Sequence, residues 1–124
     1  MNVLDSSGWL EYFSEGANTR FFSPVALDTK NLLVPSICIY EVFKKALTQF
    51  GEETALQTIT VMSLGQVVDL DRDLAVSAAQ LSLETKLAMA DSIILATAQA
   101  HAAVLWTQDE HFKNIPGVQY IEKK

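Results

Sequence analysis

Asp91 is the residue whose surroundings point most directly to chemistry, because it is a lone carboxylate near the start of an apolar stretch. That stretch, Ala88 to Ala102, reads AMADSIILATAQAHA. If it is helical, the neighbours three and four positions from Asp91 are all apolar: Leu87, Ala88, Ile94 and Leu95. A carboxylate buried alone costs several kcal/mol unless hydrogen bonds or a cation compensate it. Helix N-terminal amides supply part of that compensation, and the remainder suggests a metal ion.

Three further acids are expected to lie near Asp91. Asp5 closes the first predicted strand, Glu41 lies early in the helix after the second strand, and Asp109 follows the strand AVLW. Sites in parallel sheets lie beyond the carboxyl ends of the strands, so these four acids should meet there. Crowded carboxylates repel one another, and hard divalent ions, chiefly Mg²⁺ or Mn²⁺, remove that repulsion.

Such a site suits phosphoryl chemistry. One metal ion can lower the pKa of a bound water to make a nucleophile, and a second, about 3.5 to 4 Å away, can stabilise the leaving oxygen. Three hydroxyl side chains lie next to the acids in the sequence, those of Ser6, Ser7 and Thr107. They could hold the carboxylates or metal-bound waters in position, as the outer groups of metal sites commonly do.

Each acid also has a purely structural interpretation. Asp5 could cap the first helix, and Asp109 could cap the short helix that follows it. Glu41 has Lys45 four residues on, and taken alone this pair is more typical of a surface salt bridge of small energetic value. Asp91 has no easy structural alternative, although a hydrogen-bonding role at the helix N-terminus remains open.

Other residues that could take part in chemistry give weaker indications of a functional site. The aspartates in VVDLDRDL follow a strand but precede an amphipathic helix, so Asp71 is predicted to be an N-cap. His101 and His111 have no second His or Cys at ligand spacing, so no zinc site is expected. Cys38 has no activating neighbour and is predicted to lie in the core. No glycine-rich phosphate loop is present.

The elements that position these residues alternate in the order β-α-α-β-α-α-β-α-α-β-α-β. This order predicts a three-layer α/β/α sandwich with a central, mainly parallel sheet of about five strands. The predicted strands are Met1–Leu4, Asn31–Val34, Gln66–Leu70, Ala103–Trp106 and Val118–Ile121.

Two helices carry more specific expectations. Asn18 is predicted to cap the second helix, in which Pro24 leaves open a kink or a shorter helix. In the helix Glu52 to Leu64, Leu56, Ile59 and Met62 are expected to face inward.

Composition limits the classes of protein. With 124 residues, 49% of them apolar, the chain is expected to form a single domain over residues 1–124. A net charge of -6 argues against nucleic-acid binding through a broad basic surface. The single cysteine fits a reducing compartment, and the N-terminus has no secretory pattern, so a cytoplasmic location is expected. The only run long enough to span a membrane, Leu87–Thr107, contains Asp91, so no membrane insertion is expected.

Four segments together resemble the PIN-domain family, and within it the VapC-type toxins of bacterial toxin-antitoxin pairs. They are VLDSS at residues 3–7, LVPS at 33–36 leading to YEV at 40–42, MADSIILATA at 89–98, and LWTQDEHF at 105–112. The resemblance implies a Mg²⁺- or Mn²⁺-dependent endoribonuclease that acts as a toxin. It also implies that Asp5, Glu41, Asp91 and Asp109 are both the catalytic residues and the metal ligands.

The resemblance further implies a homodimer and a cognate antitoxin that blocks the site. An antitoxin arginine could enter the anionic pocket, with apolar anchors in a groove lined by Trp9, Tyr12 and Phe13. The sequence offers no basic patch for RNA docking beyond Lys44, Lys45 and the terminal Lys123 and Lys124.

Two other functions remain open. One is a catalytically silent α/β module whose acids bind basic groups of a partner protein. The other is a metal-dependent phosphatase with Asp5 as nucleophile, although Ser7 stands where that class has a second acid.

Overall fold

A five-stranded sheet forms the centre of the computed structural model, which describes residues 1–124. The strands are β1 (Asn2–Leu4), β2 (Leu32–Pro35), β3 (Gln66–Val68), β4 (Val104–Thr107) and β5 (Val118–Tyr120). Their order across the sheet is β3-β2-β1-β4-β5, and every pairing is parallel. The predicted α/β fold with a parallel sheet of five strands is confirmed.

Six helices connect the strands. They are α1 (Ser6–Phe13), α2 (Thr19–Leu27), α3 (Ser36–Phe50), α4 (Glu52–Met62), α5 (Arg72–Thr85) and α6 (Met89–Ala100). Two short 3₁₀ turns precede β2 and β5, at Thr29–Asn31 and Glu110–Phe112. The element order matches the prediction except for the additional turn before β2. No helix is long and apolar enough to cross a membrane.

The central position of β1 determines where a site can form. The chain proceeds outward from β1 through β2 to β3, and then returns to the other side of β1 to add β4 and β5. The switch point of the sheet therefore lies between β1 and β4, where ligands of α/β proteins usually bind. Leu4 is in register with Trp106, so Asp5 and Thr107, which follow these residues, lie side by side at the carboxyl ends of β1 and β4.

The buried core explains why the apolar α6 segment has so few polar residues. Every residue of α6 from Ser92 to Ala98 is buried, because the helix packs on both the sheet and α5. Ile94 and Leu95 join Leu4 and Leu105 in the main core cluster. Asp91 lies just before this buried segment, at the end of the helix nearest the switch point.

Two helix expectations were confirmed only in part. In α4 the buried residues are Ala55, Thr58 and Met62, whereas Leu56 is 50% exposed. Ala55, Thr58 and Met62 lie three and four positions apart, so they share the face that is covered where α4 packs against α3. Asn18 occupies the N-cap position of α2 but makes no side-chain capping hydrogen bond, and Pro24 lies inside an uninterrupted helix.

Candidate metal centre at the switch point of the sheet

Asp5 is held at the junction of β1 and α1 by hydrogen bonds from three donors. The side chain is 2% exposed and caps α1 by accepting a hydrogen bond from the Gly8 N–H at 2.8 Å. The Ser7 hydroxyl lies 2.8 and 2.9 Å from the two carboxylate oxygens, and the Thr107 hydroxyl donates to Oδ2 at 2.6 Å. The capping interpretation is therefore correct for Asp5, and the same carboxylate also faces the switch point.

Burial raises the pKa of Asp5 from 3.8 to about 6. The hydrogen bonds from Thr107, Gly8 and Ser7 oppose this rise, because they stabilise the ionised form, whereas the nearby charge of Asp109 adds to it. Ionised Asp5 is therefore strained in the absence of a cation.

Thr107 connects Asp5 to Asp109. Its hydroxyl, on a fully buried residue, donates to Asp5 and accepts a hydrogen bond from the Asp109 N–H at 2.9 Å. Asp109 in turn caps the following 3₁₀ turn by accepting from the His111 N–H at 2.9 Å. One hydroxyl thus fixes the relative positions of two acids that come from different strands.

Glu41 enters the cluster from α3. Its Oε1 accepts a hydrogen bond of 2.6 Å from the hydroxyl of Ser6, the first residue of α1. No lysine or arginine nitrogen lies within 4.0 Å of its carboxylate, so the alternative salt bridge to Lys45 does not form. Glu41 is oriented toward α1 and the end of β1.

Asp91 faces Asp109 in the first turn of α6. Burial, followed by the negative charges of Asp109 and Glu41, raises the pKa of Asp91 to about 6, while His111 opposes the rise. Asp91, Asp109 and His111 each offer a ligand atom, and these atoms lie within 4.8 Å of one another. Asp5 and Glu41 are not members of this tight group, but their charges act on the same site.

The donor set suits a divalent cation. Four carboxylates meet at one edge of the sheet, and the only ion pairs in the protein are His111 with Asp109 and the exposed Arg72 with Asp73. Oxygen ligands without a lysine or arginine counterion match the preferences of Mg²⁺ and Mn²⁺. Asp91 and Asp109 have the freer carboxylates, since both oxygens of Asp5 already accept hydrogen bonds within the protein.

His111 is the residue that sequence reasoning missed at this site. Ligand spacing in the sequence predicts no zinc site at either histidine, yet the His111 Nδ1 lies 3.1 Å from Asp109 Oδ1. The signal was its position two residues after Asp109, because a tight turn returns such a side chain to the acid.

The aromatic groove expected on α1 needs a correction. Trp9 is fully buried and stacks on Phe13 with ring centroids 5.6 Å apart, so Trp9 cannot line a surface groove. Phe13 does line a cavity of about 220 Å³, together with Phe50 and Val61. The apolar surface next to α1 therefore involves α3 and α4 rather than α1 alone.

Asp71 and Cys38, which the sequence indicates to be structural, do not belong to the group of possible metal ligands. Asp71 caps α5 by accepting a hydrogen bond of 2.8 Å from the Leu74 N–H, as predicted. Cys38 is buried in the main core cluster, and burial raises the pKa of its thiol well above the usual value.

Comparisons with known proteins agree with this architecture. The family model of the PIN domain matches residues 3–118. A toxin-antitoxin complex from Klebsiella pneumoniae contains a chain with 27% identity and a TM-score of 0.81, and the match covers 96% of each chain. DNA-bound VapBC from Salmonella typhimurium matches with 21% identity and a TM-score of 0.77 over 98% of each chain.

A more distant structure extends the same fold similarity. VapC20 from Mycobacterium tuberculosis, described as a toxin that cleaves the sarcin-ricin loop, has 12% identity and a TM-score of 0.75. The match covers 90% of this chain and 92% of that one. No curated protein matches the sequence.

Proposed function

Because the chain belongs to the PIN-domain family, we propose that it is a Mg²⁺- or Mn²⁺-dependent endoribonuclease and the toxin of a toxin-antitoxin pair. The observation that carries the proposal is the meeting of Asp5, Glu41, Asp91 and Asp109 at the switch point without a lysine or arginine counterion. Like-charge crowding of this kind destabilises the fold near neutral pH unless a cation joins it.

The residues have distinct roles in this proposal. Asp91 and Asp109 hold the cation directly, with Asp5 and Glu41 completing its negative surroundings. When bound, the ion supplies Lewis acidity that lowers the pKa of water and stabilises charge on the phosphodiester. Ser7 and Thr107 keep Asp5 in one orientation, and Ser6 does the same for Glu41. The Glu41 Oε2 accepts no hydrogen bond within the protein and can accept one from a water or substrate.

We also propose that a cognate antitoxin blocks the site. The similar Klebsiella and Salmonella structures are described as toxin-antitoxin and VapBC assemblies. An arginine suits the acid cluster, since its guanidinium can donate bidentate hydrogen bonds to carboxylates and displace the cation. Apolar residues of the same antitoxin segment would occupy the cavity lined by Phe13, Phe50 and Val61.

We further propose that the chain folds as one domain over residues 1–124 and acts in the cytoplasm. We also propose that it forms a homodimer. Leu70 and Met89, which line one cavity beside α5 and α6, are 45% and 74% exposed, and Leu83 on α5 is 85% exposed. A second copy covering this apolar surface would remove it from water. The buried, unpaired Cys38 is compatible with a reducing compartment.

The experiment is RNA cleavage by protein freed of any partner. Total bacterial RNA should be cut in Mn²⁺ and remain intact in excess chelator. Because water attacks in this proposal, the products should carry no 2′,3′-cyclic phosphate, which attack by the ribose 2′-hydroxyl would leave. Calorimetry should detect Mn²⁺ binding that Asp91→Asn weakens. Undiminished cleavage in chelator would refute the metal role, and absence of Mn²⁺ binding would favour a catalytically silent binding module.

A further inference from the structure

A polar cavity of about 320 Å³ adjoins the acid cluster on the side of α1 and α3. Ser7 and Gln108 line it nearest the acids, since Ser7 donates to Asp5 and Gln108 immediately precedes Asp109. Lys45 from α3 and Lys123 from the C-terminal segment line the same cavity. A ligand held there would lie next to the proposed cleavage site.

Lys123 is placed at this cavity by an anchored segment of chain. Ile121 directly follows β5, and its N–H donates to the Thr107 carbonyl at 3.0 Å. The Asn18 amide then donates to the Glu122 carbonyl at 3.0 Å and to the Gln108 side chain at 2.9 Å. Asn18 is only 2% exposed, so water competes poorly for these hydrogen bonds. The backbone beside Lys123 is therefore fixed relative to Asp109.

The charges around the cavity favour an anion. Neither Lys45 nor Lys123 has a carboxylate within 4.0 Å. Glu11 is the only acid of the lining, and its oxygens accept hydrogen bonds from the Asn18 N–H at 2.7 Å and from Gln108 Nε2 at 3.4 Å. Two lysines without ion-pair partners thus line one polar cavity, whereas the acid beside them is already hydrogen-bonded.

The basic surface continues along α3. Lys45 also lines a neighbouring cavity of about 260 Å³ with Tyr40, Glu41 and Lys44. The Lys44 ammonium lies 5.7 Å from the centre of the Tyr40 ring, and Tyr40 is 60% exposed. A polyanion that follows Lys45 would therefore pass Glu41 and reach an exposed aromatic ring.

We infer that the cavity between Lys45 and Lys123 binds a backbone phosphate of single-stranded RNA beside the phosphodiester that is cleaved. This inference rests on the proposed ribonuclease function. It accounts for RNA docking on a chain of net charge -6, because the local pair of lysines offsets the repulsion from the acids. An acidic peptide fits less well, since Leu10 is the one apolar residue of the lining and offers little anchorage.

The test measures binding apart from cleavage. A fluorescein-labelled, mixed-sequence, single-stranded RNA would be titrated in chelator with wild type, Lys45→Gln, Lys123→Gln and the double variant, over a range of salt concentrations. Lys30→Gln is the matched control. Lys30 is an exposed lysine in the turn that precedes β2, so it lies at the amino ends of the strands, opposite the acid cluster. We expect each cavity variant to weaken binding several-fold and to lower the salt slope by about 0.7, and Lys30→Gln to change neither.

The remaining outcomes separate this inference from the proposed function. If wild type fails to cleave RNA in Mn²⁺ but the lysine variants still weaken RNA binding, the ribonuclease proposal fails and the phosphate site stands. Wild-type affinity and salt slope in the double variant would overturn the phosphate site, as would undetectable RNA binding by wild type. Loss of antitoxin binding with unchanged RNA binding would reassign the cavity to the partner protein.

Discussion

Asp5 and Asp91 have pKa values raised to about 6 for the same first reason, burial, but their other influences differ. Hydrogen bonds from the protein already stabilise ionised Asp5. Asp91 has no such bonds, and the charges of Asp109 and Glu41 raise its pKa further. A cation between Asp91 and Asp109 would reverse that effect. Asp91 is therefore the residue whose chemistry depends most on the metal.

Asp91→Asn should abolish RNA cleavage while leaving the metal-free protein at least as stable as wild type. The substitution removes one of several repelling charges, so it relieves strain in the fold. It should also remove most of the stabilisation that Mn²⁺ gives wild type, because that stabilisation depends on binding to the folded state. Thermal melts with chelator and with Mn²⁺, together with cleavage assays, measure all three effects.

Asp71→Ala is the control for a carboxylate that is only a helix cap. Its hydrogen bond to the Leu74 N–H is lost, which should cost about 0.5 to 2 kcal/mol of unfolding free energy and leave the response to Mn²⁺ intact. If Asp91→Asn instead melted well below wild type in chelator and still cleaved RNA, Asp91 would be a structural residue.

The metal-free protein should lose stability as pH rises from about 4 to 7. The folded-state pKa of Asp5 is raised from 3.8 to about 6, so its stabilising contribution is complete below the lower value and is lost as pH passes the upper one. For buried Asp5 this rise corresponds to about 3 kcal/mol, and Asp91 acts in the same direction. Urea unfolding in chelator across this range measures the slope.

Asp5→Asn should flatten this pH dependence, because an amide does not titrate and still offers an oxygen to the Gly8 N–H. Added Mn²⁺ should reduce the slope in wild type, since a cation favours ionised carboxylates. An unchanged slope in Asp5→Asn would show that other groups cause it.

At the scale of elements, the end of β4 and the start of α1 depend on the Thr107 hydroxyl. Thr107→Val should destabilise the metal-free protein by about 1 to 3 kcal/mol, because the part-buried Asp109 N–H loses its acceptor and buried Asp5 loses a donor. Cleavage should fall as the two acids lose their fixed spacing. Thr107→Ser keeps the hydroxyl and should retain cleavage. Unfolding free energies and cleavage rates of both variants would test this, and a fully active, stable Thr107→Val would contradict it.

The element order was predictable because short apolar runs and amphipathic helices are local patterns. The inward face of α4 was predictable only in part, since Met62 is buried as expected but Ala55 is buried in place of Leu56, and the covered face depends on the packing of α4 against α3. The N-cap position of Asn18 was likewise predictable, but its side chain bonds Gln108 and Glu122, both about a hundred positions away in sequence. Local propensity contains no information about such partners.

The candidate site was also predictable from the sequence only in part. The carboxyl ends of parallel strands meet at one edge, so the sequence could indicate that Asp5 and Asp109 lie near each other. The position of His111 depended on the geometry of a turn. The sequence could not indicate that Lys45 and Lys123 line the same cavity. Their proximity depends on the path of the chain after β5, which the hydrogen bonds of Asn18 and Ile121 fix.

At the scale of the whole molecule, the net charge of -6 conceals an uneven distribution. Carboxylates are concentrated at the switch point, and lysines without ion-pair partners lie beside them on α3 and the C-terminal segment. Long-range attraction of RNA is therefore expected to be weak. Local contacts and a bound cation would supply the affinity, so binding should respond strongly to both salt and metal.

A second whole-molecule feature is the exposed apolar surface along α5 and the start of α6. Leu83→Lys should convert the proposed homodimer into a monomer of 13.7 kDa, because a charge at a residue that is 85% exposed would be costly only if a partner covers it. Leu27→Lys is the matched control, since Leu27 is 69% exposed at the end of α2. Sedimentation velocity should find twice the chain mass for wild type and Leu27→Lys. A monomeric wild type would refute the dimer, and a dimeric Leu83→Lys would show that the two copies meet elsewhere.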